Sequence, residues 1–165
     1  MQIGIVKELK PGEERVACTP SNAKKLVDNG NEVLVEKDAG IGSGFTNEEY
    51  EQAGASIVSH QESWQADLIV KVKEPDPKEF QYFKKGQVIW GFQHLASSKE
   101  TVEAMQKAEV TAIGGETIEK DGQAPLLAPM SAIAGRRSML MGAYYLEAQH
   151  KGEGILISGI DAISG

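Results

Sequence analysis

The run Leu68-Ile69-Val70-Lys71-Val72-Lys73-Glu74-Pro75 begins as an apolar strand and then places two ammonium groups where apolar residues belong. Side chains alternate along a strand, so Lys71 and Lys73 are expected on the same face as Ile69. Pro75 ends regular pairing and leaves Lys73 at the carboxyl end of the strand. Lys71 reads as a supporting charge, either ion-paired or snorkelling to solvent. For Lys73, a strand end fraying into water and a ligand-facing ammonium are both open. His94 follows another apolar run, in Trp90-Gly91-Phe92-Gln93-His94-Leu95-Ala96. An imidazole titrates near pH ~6.5 and can carry protons at cellular pH, although a lone histidine is more often structural or merely exposed. Arg15 lies in Pro11-Gly12-Glu13-Glu14-Arg15-Val16-Ala17. A guanidinium there can clamp a carboxylate through two parallel hydrogen bonds. Taken alone, a surface salt bridge to Glu13 or Glu14 is the simpler reading. Together, a carboxylate anchor, a carbonyl polariser and a proton carrier suit a 2-oxo acid.

The other chemistry-bearing residues argue less. Gly40-Ile41-Gly42-Ser43-Gly44-Phe45 imitates a dinucleotide fingerprint, but its last position is Phe45 and the next helix has its own cap at Thr46, so a flexible connecting loop is expected. Cys18 has no histidine nearby in sequence and reads as a buried or bystander thiol rather than a nucleophile. His60 and His150 lie in polar stretches and read as surface residues. No His, Cys, Asp and Glu cluster has zinc-ligand spacing, so no metal is expected.

The elements that must position these residues alternate between strand and helix. Strands are expected at residues 3–7, 32–36, 56–59, 68–73, 87–91, 110–113 and 154–158. Thr19 with Pro20 starts a helix that stops at Gly30. Thr46-Asn47-Glu48-Glu49 and Ser97-Ser98-Lys99-Glu100 match capping boxes, the second opening a helix to about Ala108. Residues 130–149 read as one long helix whose small residues Ala132, Gly135, Gly142 and Ala143 admit close packing. The pattern implies an α/β fold: a mainly parallel sheet with helices on both faces, flavodoxin-like or Rossmann-like. Ligands then bind outside the carboxyl ends of the strands.

The chain has 165 residues, 41% hydrophobic and 25% charged, with a formal net charge of −7. The acidic balance argues against a nucleic-acid partner, yet leaves room for a small anion held by local cations. One cysteine fits a reducing compartment. No signal peptide and no run of about 18 apolar residues is found, so no membrane association and a cytoplasmic setting are expected.

Several motifs in order resemble the N-terminal region of the alanine dehydrogenase / nicotinamide nucleotide transhydrogenase family. They are Gly4-Ile5-Val6-Lys7-Glu8 with Arg15-Val16-Ala17-Cys18-Thr19-Pro20, residues 40–50, Lys71-Val72-Lys73-Glu74-Pro75, His94-Leu95-Ala96, Pro125-Leu126-Leu127-Ala128-Pro129-Met130-Ser131 and Ala134-Gly135-Arg136. The resemblance implies reversible, NAD-dependent deamination of L-alanine to pyruvate and ammonia. It implies that Arg15 and Lys73 hold the substrate, His94 is the acid/base, and Ser131 contacts the NAD cofactor. It divides the chain into a substrate domain at 1–130, a linking helix at 131–150, and at 151–165 a last strand and the truncated start of an NAD-binding domain. On that division the chain alone binds no NAD and is not catalytic alone; the alternatives are a non-catalytic 2-oxo or amino acid-binding module and an inert remnant. A helix left without its second domain would expose apolar surface and favour a homo-oligomer. Local departures from the family pattern are Gly115 in place of an aromatic, Gln93 in place of an apolar residue, Ala132 in place of an acidic one, and Gly159-Ile160-Asp161-Ala162.

Overall fold

Strands β1 (Gln2–Ile5), β2 (Glu32–Glu36), β3 (Ser56–Val58), β4 (Leu68–Lys73), β5 (Val88–Phe92) and β6 (Thr111–Gly114) pair because both of their faces find an apolar layer. Along β2, Val33 and Val35 enter one core cluster and Leu34 enters the other, as a period of two demands. The first cluster gathers Ala23 and Leu26 of α1 (Pro20–Asp28) and Tyr50 of α2 (Asn47–Gln52). The second gathers the layer that begins at α3 (His60–Ser63), with Trp64 behind it, and Met105 of α4 (Lys99–Lys107). Helices therefore cover both faces, as the strand–helix alternation requires.

The computed structural model describes residues 1–158. Gly159-Ile160-Asp161-Ala162 falls outside the described residues. All pairings in the sheet are parallel, in the order β3-β2-β1-β4-β5-β6. This is the doubly wound Rossmann order rather than the flavodoxin one. The chain winds from β1 outward to β3 and then restarts on the other side of β1, so the switch point lies between β1 and β4. Gly4 of β1 has no room for a side chain, because a Cβ there would run into the Ser63 carbonyl oxygen of α3.

The structure corrects some expected elements. The Thr46 capping box is present, but the second helix is capped by Ser98, whose Oγ accepts the Thr101 N–H, and not by Ser97. Ser97 instead ends a short 3-10 turn, Leu95–Ser97. A capping box at Ser59 and Glu62 opens α3, which the sequence reading left out. The expected strand at 154–158 does not form. Gly154 has a φ of +75°, its N–H donates to the Leu146 carbonyl, and Ile155–Ile157 are exposed. β-branched residues become a strand only against a ladder partner, and no strand among the described residues pairs with residues 155–157.

The contacts divide the chain into two compact units, Met1–Thr117 and a second from Ile118 on. The second unit is built on α5 (Ala128–Leu146), which begins before the expected Met130 and stops before the expected Gln149 because Glu147 turns to an extended backbone. No α5 residue is buried, and Ile133, Met139, Leu140 and Tyr145 are exposed. A Cβ at Gly135 or Gly142 would meet no neighbouring atom, so the small-residue face stands open.

Candidate functional site

The loop after β1 and the ends of β4 and β5 share the carboxyl edge of the sheet, because the three strands are parallel neighbours. Arg15 is therefore carried to one side of the switch point and Lys73 to the other. Arg15 makes a fork with Glu13: Nε donates to Oε1 at 2.7 Å and Nη2 to Oε2 at 2.6 Å. The Arg15 backbone N–H also donates to Oε1 at 3.1 Å. The hydrogen bond from Arg15 is the largest cause that holds the Glu13 carboxyl below the usual range, and the Lys73 charge acts in the same direction. One carboxylate thus sits in the field of both cations. The asymmetry of exposure is telling, with the Glu13 side chain 10% exposed and Arg15 53%. Lys7, Glu8, Glu13, Arg15, Asp38 and Gly42 border a cleft of about 390 Å³.

The two lysines of β4 part company. Val70 pairs with Trp90 but Lys73 pairs with Phe92, so β4 holds one extra residue there. Such bulges are rare between parallel strands. Lys71 and Val72 are consecutive buried residues, which breaks the expected alternation, and Lys73 leaves the buried row. Lys71 does not reach solvent. Its ammonium lies 2.9 Å from Glu79 Oε1 and 3.6 Å from Glu8 Oε2, and 5.8 Å from the Trp64 ring centre. Glu79 stays in place because its other oxygen accepts the Asp76 N–H at 2.7 Å. Lys73 remains half-buried at the edge.

His94 is exposed just past β5 and has a left-handed backbone, φ 45° and ψ 38°. That conformation costs a non-glycine residue about 1 kcal/mol or more, so its neighbours must hold it. They do so from both sides. The His94 N–H donates to Glu116 Oε1 at 2.7 Å, and the His94 carbonyl accepts from Ser97 N at 2.9 Å and Ser97 Oγ at 2.7 Å. Glu116 Oε2 also accepts the Gln93 N–H at 3.2 Å. His94 lines a cleft of about 420 Å³ with Ala112, Gly114 and Glu116. Burial pushes Glu74 up, but the Lys10 hydrogen bond, a backbone N–H and the nearby His94 bring its carboxyl below the usual range. At Gly115 the missing side chain faces the Phe92 ring, which supplies aromatic surface at that point.

The remaining candidates separate from this edge. Cys18 is in the core, and burial pushes its thiol up to about 11, which removes the thiolate a nucleophile needs. The glycine loop connects β2 to α2, as expected, through a defined turn. It forms a 3-10 turn, Ile41–Ser43, in which a Cβ on Gly42 would meet the Glu14 carbonyl at 2.6 Å. Its close approach is spent on the protein's own chain. His60 is not a surface residue, since it is half-buried against Glu36 at 3.0 Å and edge-on to Tyr82. His150, in the second unit, is half-buried and stacks on Tyr144. Ser131 is exposed on α5. Among the described residues no group of three or more His, Cys, Asp or Glu is placed to hold a metal ion. No described helix is long and apolar enough to cross a membrane. Glu8 and Glu116 escape sequence reasoning because each acts on a backbone far along the chain, and Glu79 because nothing in its local pattern marks a buried partner for Lys71. For Glu116 a signal existed in its neighbours Gly114 and Gly115.

The family model for the alanine dehydrogenase/PNT N-terminal domain matches residues 4–134. The chain belongs to that family. Alanine dehydrogenase 1 of Staphylococcus aureus is 66% identical over 160 residues, which is 97% of this chain and 43% of that enzyme. The fold matches a solved L-alanine dehydrogenase with a TM-score of 0.87 and 43% identity, over 99% of this chain and 46% of that one. A solved transhydrogenase from Sinorhizobium meliloti matches with a TM-score of 0.70 and 33% identity, over 73% of this chain and 35% of its own. The chain thus spans less than half the length of these relatives. Membership places the six-stranded parallel sheet among alanine dehydrogenase N-terminal domains.

Proposed function

We propose that this chain supplies the substrate-holding part of an alanine dehydrogenase, acting on L-alanine and pyruvate. The observation that carries the reading is the Glu13 carboxylate, which is forked to Arg15 and also feels Lys73. The same two cations suit a 2-oxo acid. Arg15 releases Glu13 and takes the substrate carboxylate in the same bidentate geometry. Lys73 directs its ammonium at the carbonyl or imine carbon's partner atom and draws charge toward it. His94 takes and returns a proton as water adds and leaves, from a ring carried on a clamped, exposed loop.

By the family resemblance, NAD carries the hydride and Ser131 is its contact. The glycine loop at 40–44 is not a pyrophosphate cradle, because the space at Gly40 and Gly42 is taken by Tyr50, Phe45 and Glu14. The open apolar side of α5 is the surface assigned to self-association. A cytoplasmic setting fits a single cysteine kept as a buried thiol.

Calorimetric titration with pyruvate tests the reading. Arg15→Ala and Lys73→Ala should each weaken binding at least about tenfold, equal to about 1.4 kcal/mol. Binding indifferent to both changes, or no binding by the unchanged chain, refutes the assignment.

A further inference from the structure

The extra residue in β4 needs an agent to hold it. Inside a regular ladder each N–H would find a carbonyl on the next strand. β1 pairs with β4 only as far as Ile5 opposite Val70, so its backbone gives out where the bulge begins. Glu8 takes over from there. Its Oε1 accepts the Val72 N–H at 2.6 Å, and the Lys73 backbone supports the same carboxyl. Its Oε2 lies 3.6 Å from the Lys71 ammonium. The Glu8 side chain is only 2% exposed, so its carboxyl has little water to turn to. It also borders the Arg15 cleft. One carboxyl therefore joins the end of β1, the buried lysine and the turn that brings Lys73 out.

We propose that Glu8 is the positioning residue for Lys73: by accepting the Val72 N–H it holds the bulge that keeps Lys71 inside and presents Lys73 at the edge. Loss of that acceptor lets β4 return toward simple alternation, which draws Lys73 toward the row that Lys71 occupies. The proposal rests on the reading that Lys73 meets the substrate, but its geometry can be read without a ligand.

The experiment compares the unchanged chain with Glu8→Gln, Glu8→Asp and Glu8→Ala. Glutamine keeps an acceptor at the right reach, aspartate falls one methylene short, and alanine has none. Amide hydrogen exchange, followed by NMR without ligand, should quicken at least about tenfold at Val72 and Lys73 in the Asp and Ala variants, relative to Ile69. The Gln variant should stay near the unchanged chain. Unchanged exchange at Val72 and Lys73 in Glu8→Asp overturns the proposal, and this holds even if Glu8→Ala does not fold. Pyruvate titration then gives the functional arm. Glu8→Asp should weaken binding about tenfold, and adding Lys73→Ala to it should cost little more, because the two changes remove one interaction. Adding Arg15→Ala should still cost its full share. Full additivity of Glu8→Asp with Lys73→Ala overturns the positioning role. Failure of the unchanged chain to bind pyruvate would refute the substrate reading alone, since the exchange result decides the role of Glu8 separately.

Discussion

Replacing Lys71 with methionine removes a cation that two buried carboxyls share. The three side chains are 1%, 0% and 2% exposed for Lys71, Glu79 and Glu8. Burial is the largest influence on Glu8 and raises its carboxyl, with the Lys71 charge as the main counterweight. Without Lys71, Glu8 moves further toward its neutral form. Glu79 is different, since its Oε2 is tied to the Asp76 N–H at 2.7 Å and cannot swing to solvent. The cost therefore falls on a buried carboxylate stripped of its partner, which is worth about 3–5 kcal/mol. Domains are stable by only about 5–15 kcal/mol, so this loss is a large share. Lys71→Met/Glu79→Gln removes the orphaned charge and should recover most of the loss. Urea unfolding at pH 7, followed by circular dichroism, reads both variants through the midpoint at constant slope. A loss below about 1 kcal/mol for Lys71→Met, or a double variant less stable than the single, would refute the reasoning.

Three further outcomes follow from the same edge. Gln93 is fully buried and neither amide atom has a partner among the described residues, so Gln93→Met should raise stability by about 1 kcal/mol in the same urea assay. Glu116→Ala removes both acceptors that hold the His94 and Gln93 N–H groups, and should cost about 2 kcal/mol and broaden the His94 resonances in NMR spectra. Glu13→Gln weakens the charged fork on Arg15 and should tighten pyruvate binding about threefold or more at pH 7 by calorimetry. Because the folded Glu13 value is lowered, its pairing stabilises the fold above the ordinary 4.5 and is lost as pH falls through the lowered value. The stability cost of Glu13→Gln should accordingly be present at pH 7 and vanish in acid.

Local patterns carried much of the fold. Apolar runs bounded by turn residues placed the six strands of the first unit, and strand–helix alternation implied a parallel sheet covered on both sides. The order of strands was not legible, since it depends on which edge β4 joins. The pairing of Arg15 with Glu13 was anticipated because the partners are two residues apart. The burial of Lys71 as an ion-paired residue was only half anticipated. Period-two reasoning placed Lys71 and Lys73 on one face, and a bulge held by a carboxyl 64 residues away from Val72 separated them. The strand at 154–158 failed for the converse reason: the strong local preference of residues 155–157 met no neighbouring strand among the described residues. Glu116 shows how a charged residue can serve backbone geometry, which leaves no periodic trace.

The most direct measurement is a crystal structure of the chain with pyruvate bound. The account predicts the pyruvate carboxylate forked on Arg15 with Glu13 displaced, its carbonyl oxygen on the Lys73 ammonium, and His94 within hydrogen-bond reach of the reacting atoms. Pyruvate seated elsewhere, or Glu13 still forked to Arg15 with the ligand present, would contradict it.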